Sequence, residues 1–325
     1  MTIADAGYYL DSFLAPLAPM LERTDVTDIW INRPGEVWVE SLGGGIERIV
    51  EPSLDERLLT RLAKQIAAYS SQGISRAQPL LAAKLPDGSR VQVVAPPATR
   101  GGYSFAIRRH VSAKMSLGDW EDAGAFEQAQ SGDSEVGADR RFRSLAGREA
   151  AACLREAVRS RRNILVSGGT STGKTTFLNS LLAEVPKDER LVLIEDTAEL
   201  ELIHENAVGL IAARGEMSEA EVSAEDLLIA ALRMRPDRII LGELRGVEAF
   251  TFLRAVNTGH PGSMTTIHAD TPQRAIEQLS LLVLQAGSKL SRDDVRHYVR
   301  ESVDVFVQLE RNHGRRSIST VLLAN

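Results

Sequence analysis

Cysteine is almost absent: Cys153 is the only one in the 325-residue chain. A single thiol excludes an intramolecular disulfide and any cysteine-based zinc cluster, and it fits a reducing compartment. Long apolar runs are missing too. No stretch reaches the roughly 18 consecutive apolar residues of a membrane-crossing helix, so work at a membrane is expected to run through partners or by peripheral association. The first ten residues carry Asp5 and no basic segment, which argues against a secretory signal. Positive charge is not in excess either. The formal net charge is −6, so bulk charge gives no ground for direct nucleic-acid binding. No repeat of solenoid period is visible. What is left is the composition of an ordinary folded protein, 43% hydrophobic and 25% charged, at a length that favours two domains.

The pattern changes along the chain. Residues 1–110 read as an α+β domain. A helix is expected over Tyr8 to Leu21, and a hairpin pairs Ile29–Asn32 with Glu36–Glu40 around Arg33-Pro34-Gly35. Leu58, Leu59, Leu62 and Ile66 give helical spacing over Leu54 to Tyr69. Val91–Val94 and Tyr103–Ile107 read as strands joined by a turn-rich stretch. Residues 111–147 have poor periodicity and read as a linker. From 148 to 325 strands and helices alternate, with strands at Ile164–Ser167, Leu191–Glu195, Ile239–Glu243 and Met264–His268. Such alternation predicts an α/β domain with a parallel sheet covered by helices.

The sharpest motif lies at the start of that half. Gly168, Gly169, Thr170, Ser171, Thr172, Gly173, Lys174 and Thr175 match G-x-x-x-x-G-K-[ST] in full. An apolar run, Ile164–Ser167, precedes them, and a helical pattern begins at Thr176. Strand, glycine-rich loop and helix form the setting in which backbone N–H groups cradle a polyphosphate. Lys174 would reach the β- and γ-phosphates of ATP, and the Thr175 hydroxyl would ligate Mg²⁺.

Three further clusters carry polar residues at the ends of apolar strands. Glu195, Asp196 and Glu199 follow Leu191–Ile194. Carboxylates at a strand's carboxyl end can hold Mg²⁺ or orient water, and each can equally be a solvated loop acid. Glu243 ends the run Ile239–Gly242. It can polarise water or join the metal shell, or it can pair with Arg245 or Arg238 as a structural ion pair. The third cluster, Asn257 to His268, makes a Gly/Pro turn and then a strand ending in His268. A neutral imidazole there could donate to a γ-phosphate, and each of its histidines could also be purely structural.

The order of these motifs resembles the secretion ATPase superfamily, which powers type II secretion, type IV pili and type IV secretion. The stretch from Leu232 to Gln285, with Asn32–Gly35 and Val37–Glu40 ahead of it, is most similar to the VirB-type traffic ATPases of type IV secretion systems. The absence of a tetracysteine motif argues against the type II branch. The resemblance implies a RecA-like P-loop NTPase domain at the C-terminal end, an α+β N-terminal domain, and a homohexameric ring that hydrolyses ATP with Mg²⁺. It makes Lys174, Glu199, Glu243, His268 and Arg108 the catalytic set and assigns the phosphate loop with Thr176 to the nucleotide. Thr175, Glu195, Asp196 and Glu243 become the metal-side residues. It also implies phosphate-binding arginines from the N-terminal domain, here Arg90 and Arg108. His110 stands where the family often has proline, which leaves Arg108 against Arg109 open. The implied setting is the cytoplasmic face of a bacterial inner membrane, beside inner-membrane components of a type IV secretion system. Two alternatives stay open: a conjugation or type IV pilus assembly relative, and a nucleotide-binding regulatory scaffold with little turnover.

Overall fold

A computed structural model describes residues 10–42, 44–109, 115–129, 132–134, 142–212, 222–312 and 315–324. The chain divides into two units, Met1–Ser112 and Ala113–Asn325. Tyr8, Tyr9, His110 and parts of the expected linker lie outside the described residues. Among the described residues no helix is long and apolar enough to cross a membrane.

In the first unit, β1 (Val26–Ile31), β2 (Glu36–Ser41), β3 (Ile46–Val50), β4 (Leu80–Lys84), β5 (Arg90–Val94) and β6 (Ser104–Arg108) form one sheet in the order β3-β2-β1-β6-β5-β4. Every pairing in it is antiparallel. The expected hairpin is there, with Trp30 opposite Trp38. Helix α1 (Glu56–Tyr69) starts where Asp55 accepts a hydrogen bond from Leu58 N at 2.6 Å. Its buried stripe, Leu59, Leu62, Ala63 and Ile66, packs in one core with Ile29, Val37, Val93, Phe105 and Ile107. The helix expected over Tyr8 to Leu21 is interrupted: a 3₁₀ turn at Ala15–Leu17 separates it from Ala18–Leu21. Pro16 and Pro19 explain the break, since each removes an N–H from the ladder.

In the second unit nine strands form one sheet: β7 (Gly132–Ser134), β8 (Phe142–Leu145), β9 (Ile164–Gly168), β10 (Leu191–Glu195), β11 (Ala207–Ile211), β12 (Arg238–Leu244), β13 (Met264–Ile267), β14 (Val305–Asn312) and β15 (Arg315–Ala324). Their order is β11-β10-β12-β13-β9-β14-β15-β8-β7. The first six in that order run parallel, and β15, β8 and β7 extend the sheet antiparallel. Alternate residues feed two cores. Val192, Ile194, Ile239, Leu241 and Phe306 face α5 (Ala224–Ala231), α6 (Glu248–Asn257), α7 (Pro272–Gln285) and α8 (Arg292–Ser302). Val166, Leu193, Ile240 and Val307 face α2 (Leu117–Asp122), α3 (Gly147–Arg159) and α4 (Lys174–Leu182). A parallel sheet wrapped on both faces is the α/β architecture that the sequence predicts.

Part of the stretch expected as linker carries structure. Helix α2 opens with a capping box between Ser116 and Asp119. Its Trp120 is 1% exposed, meets Phe177 edge-on at 5.3 Å, and donates its indole N–H to Ser180 Oγ at 3.0 Å. Burying such a side chain typically stabilises by about 3–5 kcal/mol against alanine. Trp120 therefore anchors the stretch to the helix that follows the phosphate loop. A six-residue helix with one buried anchor gives too short a period to be read from spacing alone.

Glu36 is the chief buried acid of the first unit. Arg33 donates to it at 2.7 and 3.1 Å, Arg48 at 2.7 Å, and the Trp38 indole at 3.3 Å. The Arg33 hydrogen bond leads in holding its carboxyl at about 2, below the ordinary 4.5, against the opposing pull of burial. A depressed folded-state value means stability that is complete above 4.5 and is lost as pH falls toward 2. We expect acid titration followed by tryptophan fluorescence to show a transition in that window. Glu36→Gln should flatten it and lower stability at neutral pH, and an unchanged acid limb would contradict the assignment.

Candidate functional site

The carboxyl ends of β9, β10, β12 and β13 lie along one edge of the large sheet, and Lys174, Glu195, Asp196, Glu199, Glu243 and His268 sit at or beyond those ends. Ligands of open parallel sheets gather at that edge. β9 runs into the phosphate loop at Gly168. Ser171 and Gly173 both adopt left-handed backbone, φ 60° and 94°, which turns successive N–H groups to one side. A Cβ on Gly168 would sit 2.5 Å from Thr172 Oγ1 and 3.1 Å from Leu309 O. One on Gly173 would sit 3.1 Å from Arg316 Cδ and 3.4 Å from the Trp120 ring. Both glycines are therefore dictated by close approach. Helix α4 begins at Lys174 with no side-chain cap and no acid in its first turn. Its leading N–H groups and positive dipole end are open to an anion.

Lys174 donates to Gly168 O at 3.0 Å and Gly169 O at 3.2 Å, and its Nζ lies 3.5 Å from Glu243 Oε1. Glu243 reaches this position through a bulge. β12 spends three steps from Leu241 to Leu244 where β13 spends two from Thr265 to Ile267. Thr266 Oγ1 pins the bulge by donating to Gly242 O at 2.7 Å. Arg245 also pairs with Glu243, and its Nη1 reaches Asp196 Oδ2 at 3.2 Å. The sequence left Glu243 between a reactive and a structural role. The structure gives it cations on both sides, Lys174 and Arg245, whereas Arg238 is fully buried elsewhere in a bidentate pair with Glu189 at 2.7 and 2.8 Å.

The acidic loop after β10 is fastened to α4. Glu199 Oε2 accepts from Thr175 Oγ1 at 3.0 Å. Asn179 donates to Glu199 O at 3.2 Å and accepts from Glu201 N at 3.0 Å. Glu195 is 7% exposed, and its Oε1 accepts from Glu199 N and Leu200 N, both at 2.8 Å. Its carboxylate thus shapes the loop, while Asp196 is drawn to Arg245. Thr175 at the end of the phosphate loop meets Glu199, and Lys174 beside it meets Glu243. Among the described residues no group of three or more His, Cys, Asp or Glu side chains could hold a metal alone. Hard oxygen donors, few in number and beside a phosphate cradle, fit Mg²⁺, which takes one or two carboxylates and completes its shell with phosphate and water.

His268 is exposed just beyond β13. It lines a cavity of about 550 Å³ with Asp270, Arg274, Glu277, Leu281 and Arg292. Thr170 and Thr176 lie in the loop and the first turn of α4. In the other unit, Arg90 on β5 stands directly opposite Arg108 on β6, and Arg108 opposite Asp28 on β1. Strand alternation buries Ile107 and exposes Arg108. Arg109 is instead tied to backbone, donating to Arg23 O and to Val26 O at 3.4 Å. Arg108 is thus the neighbour left facing outward. Trp120, Arg316 and Asn179 are site neighbours that motif reading missed. The sequence offers Arg245, two residues after the strand-end glutamate, as a structural partner of Glu243, and it does pair with it.

The family model described as "Type II/IV secretion system protein" matches residues 12–316. The chain is 38% identical to the Bartonella henselae protein named "Type IV secretion system protein VirB11", over 95% of this chain and 91% of the relative. It is also 38% identical to the Bordetella pertussis protein named "Type IV secretion system protein PtlH", over 94% and 91%. The X-ray structure of the Legionella pneumophila ATPase DotB superposes with a TM-score of 0.63 at 18% identity, covering 98% of this chain and 81% of that one. At that identity the likeness speaks for the fold, an N-terminal α+β unit followed by a RecA-like one.

Gly173→Ala should damage the loop twice over. A left-handed residue with a Cβ costs about 1–2 kcal/mol, and the added carbon presses on Arg316 and Trp120. We expect a lower melting temperature and loss of binding of a fluorescent ATP analogue. Binding equal to wild type would show that the loop tolerates a side chain there.

Proposed function

The chain belongs to the type II/IV secretion system protein family, and from that membership and the site geometry we propose that it is a hexameric, Mg²⁺-dependent ATPase that energises type IV secretion. The observation that carries the proposal is the convergence of Lys174, Glu243, Thr175 and Glu199 on one side of an uncapped helix start. Full-length similarity to relatives named for type IV secretion supports the biological setting. We place the motor at the cytoplasmic face of the inner membrane, acting on inner-membrane components of the secretion system.

The residues divide the work. Lys174 holds loop carbonyls in the structure, and a polyphosphate in the loop would take over its ammonium group. The leading N–H groups of α4 would neutralise the phosphate oxygens. Mg²⁺, when bound, would supply positive charge against the charge that develops on the phosphates. Thr175 is the hydroxyl placed to ligate it. Glu243 is assigned to polarise the attacking water, and Glu199, which accepts from Thr175, to orient that hydroxyl and the water shell. His268, at the strand end, is assigned to sense the γ-phosphate. Arg90 and Arg108 are assigned to phosphate binding on the family resemblance.

Two measurements test this. Lys174→Ala should abolish ATP turnover and weaken nucleotide binding, because the cation for the terminal phosphates is gone. Glu243→Gln should keep ATP binding and lose most turnover, about 10²-fold or more, because an amide cannot accept the proton. Wild-type turnover in either variant would sink the assignment. The ring is checked separately: light scattering with Mg²⁺ and a non-hydrolysable ATP analogue should give a hexamer, and a monomer at saturating nucleotide would count against a motor.

A further inference from the structure

We propose that Gln308 is a positioning residue that couples the phosphate loop to His268, an inference that rests on the γ-phosphate role given to His268 above. Gln308 lies on β14 and is 2% exposed. Its Oε1 accepts from Ser167 Oγ at 2.6 Å, one residue before Gly168. Its Nε2 donates to Ala269 O at 3.2 Å, one residue after His268, and to Leu309 O at 3.1 Å. The orientation of the amide is settled by its partners, since a flip would set its oxygen against two carbonyls.

The geometry reaches past pairing between neighbours. β13 and β14 are not adjacent, because β9 lies between them. Gln308 therefore spans β9 to hold the chain that follows β13. The loop's first glycine packs beside it: a Cβ on Gly168 would sit 3.1 Å from Leu309 O and 3.2 Å from Leu309 Cβ. On the far side, Thr266 bonds Gly242 O next to Glu243. Four strand ends are thus linked by three side chains, Ser167, Gln308 and Thr266. If Gln308 served packing alone, an apolar residue of its size would do as well, since a buried polar pair adds little net stability. What glutamine adds is a simultaneous donor and acceptor, aimed at the two segments that flank a nucleotide's terminal phosphate. A shift of the loop on nucleotide binding moves Ser167, and the amide carries that shift to the backbone that orients His268.

The test uses the full chain and a double-mutant cycle. Gln308→Met preserves volume and removes all three bonds of the amide, and Ser167 Oγ keeps its contact with Val307 O at 3.2 Å. We expect a Tm close to wild type, ADP affinity within about twofold, and turnover lowered about tenfold, the size of a lost positioning hydrogen bond. Gln308→Glu keeps the acceptor for Ser167 and loses the donor to Ala269, so it should be slow in the same way, and it serves if the methionine variant does not fold. Gln308→Met combined with His268→Ala should turn over no more slowly than His268→Ala. If the two losses multiply, or if ADP binding falls as far as turnover, Gln308 is structural and the inference fails. Wild-type turnover in His268→Ala would instead overturn the role given to His268, and this inference with it.

Discussion

β9 is hydrogen-bonded in parallel to β13 on one side and β14 on the other, and the site depends on that double pairing. It sets Ser167 level with Ile267 and with Gln308, so the phosphate loop and the histidine strand leave the sheet at the height of Gln308, which lies within β14. A slip by one residue would turn each side chain to the opposite face and separate all three. The burial of all five residues of β9 makes such a slip costly. Chemistry at this edge is thus held by apolar packing beneath it.

Within that frame the site is built from shared charge. Lys174 and Arg245 both address Glu243, and Arg245 also reaches Asp196. An incoming polyphosphate would compete for Lys174 and so change the field at Glu243. The contrast with the buried Arg238–Glu189 pair is instructive. That pair is fully desolvated, and Arg238 also donates to Val158 O at 2.6 Å. It joins segments far apart in sequence, and nothing in it is left for a ligand.

Much of this was legible in the chain as letters. The strands at β9, β10, β12 and β13 were visible as apolar runs, because strands buried on both faces show no alternation to hide them. Less visible were β11, β14 and β15. Of the five residues of β11 none is fully buried, and β14 and β15 pair antiparallel at one side of an otherwise parallel run of strands. Helix α2 escaped for a different reason: Trp120 finds Phe177 and Ser180 some sixty residues onward, and nothing local announces the contact.

The sequence by itself determined the phosphate loop and the residues at strand ends. A loop that bends backbone N–H groups around phosphate needs glycines at fixed spacing, and that requirement is local. Only the tertiary structure decided which acids face the loop. Glu195, Asp196 and Glu199 are near neighbours in sequence, yet one accepts from backbone amides, one pairs with Arg245, and one meets Thr175. Their shared chemistry cannot separate them, because the sorting depends on which strand lies beside β10 and where the bulge in β12 puts Arg245. The same holds for Gln308. A polar residue in an apolar strand announces nothing until the fold places Ser167 and Ala269 within reach of its two ends.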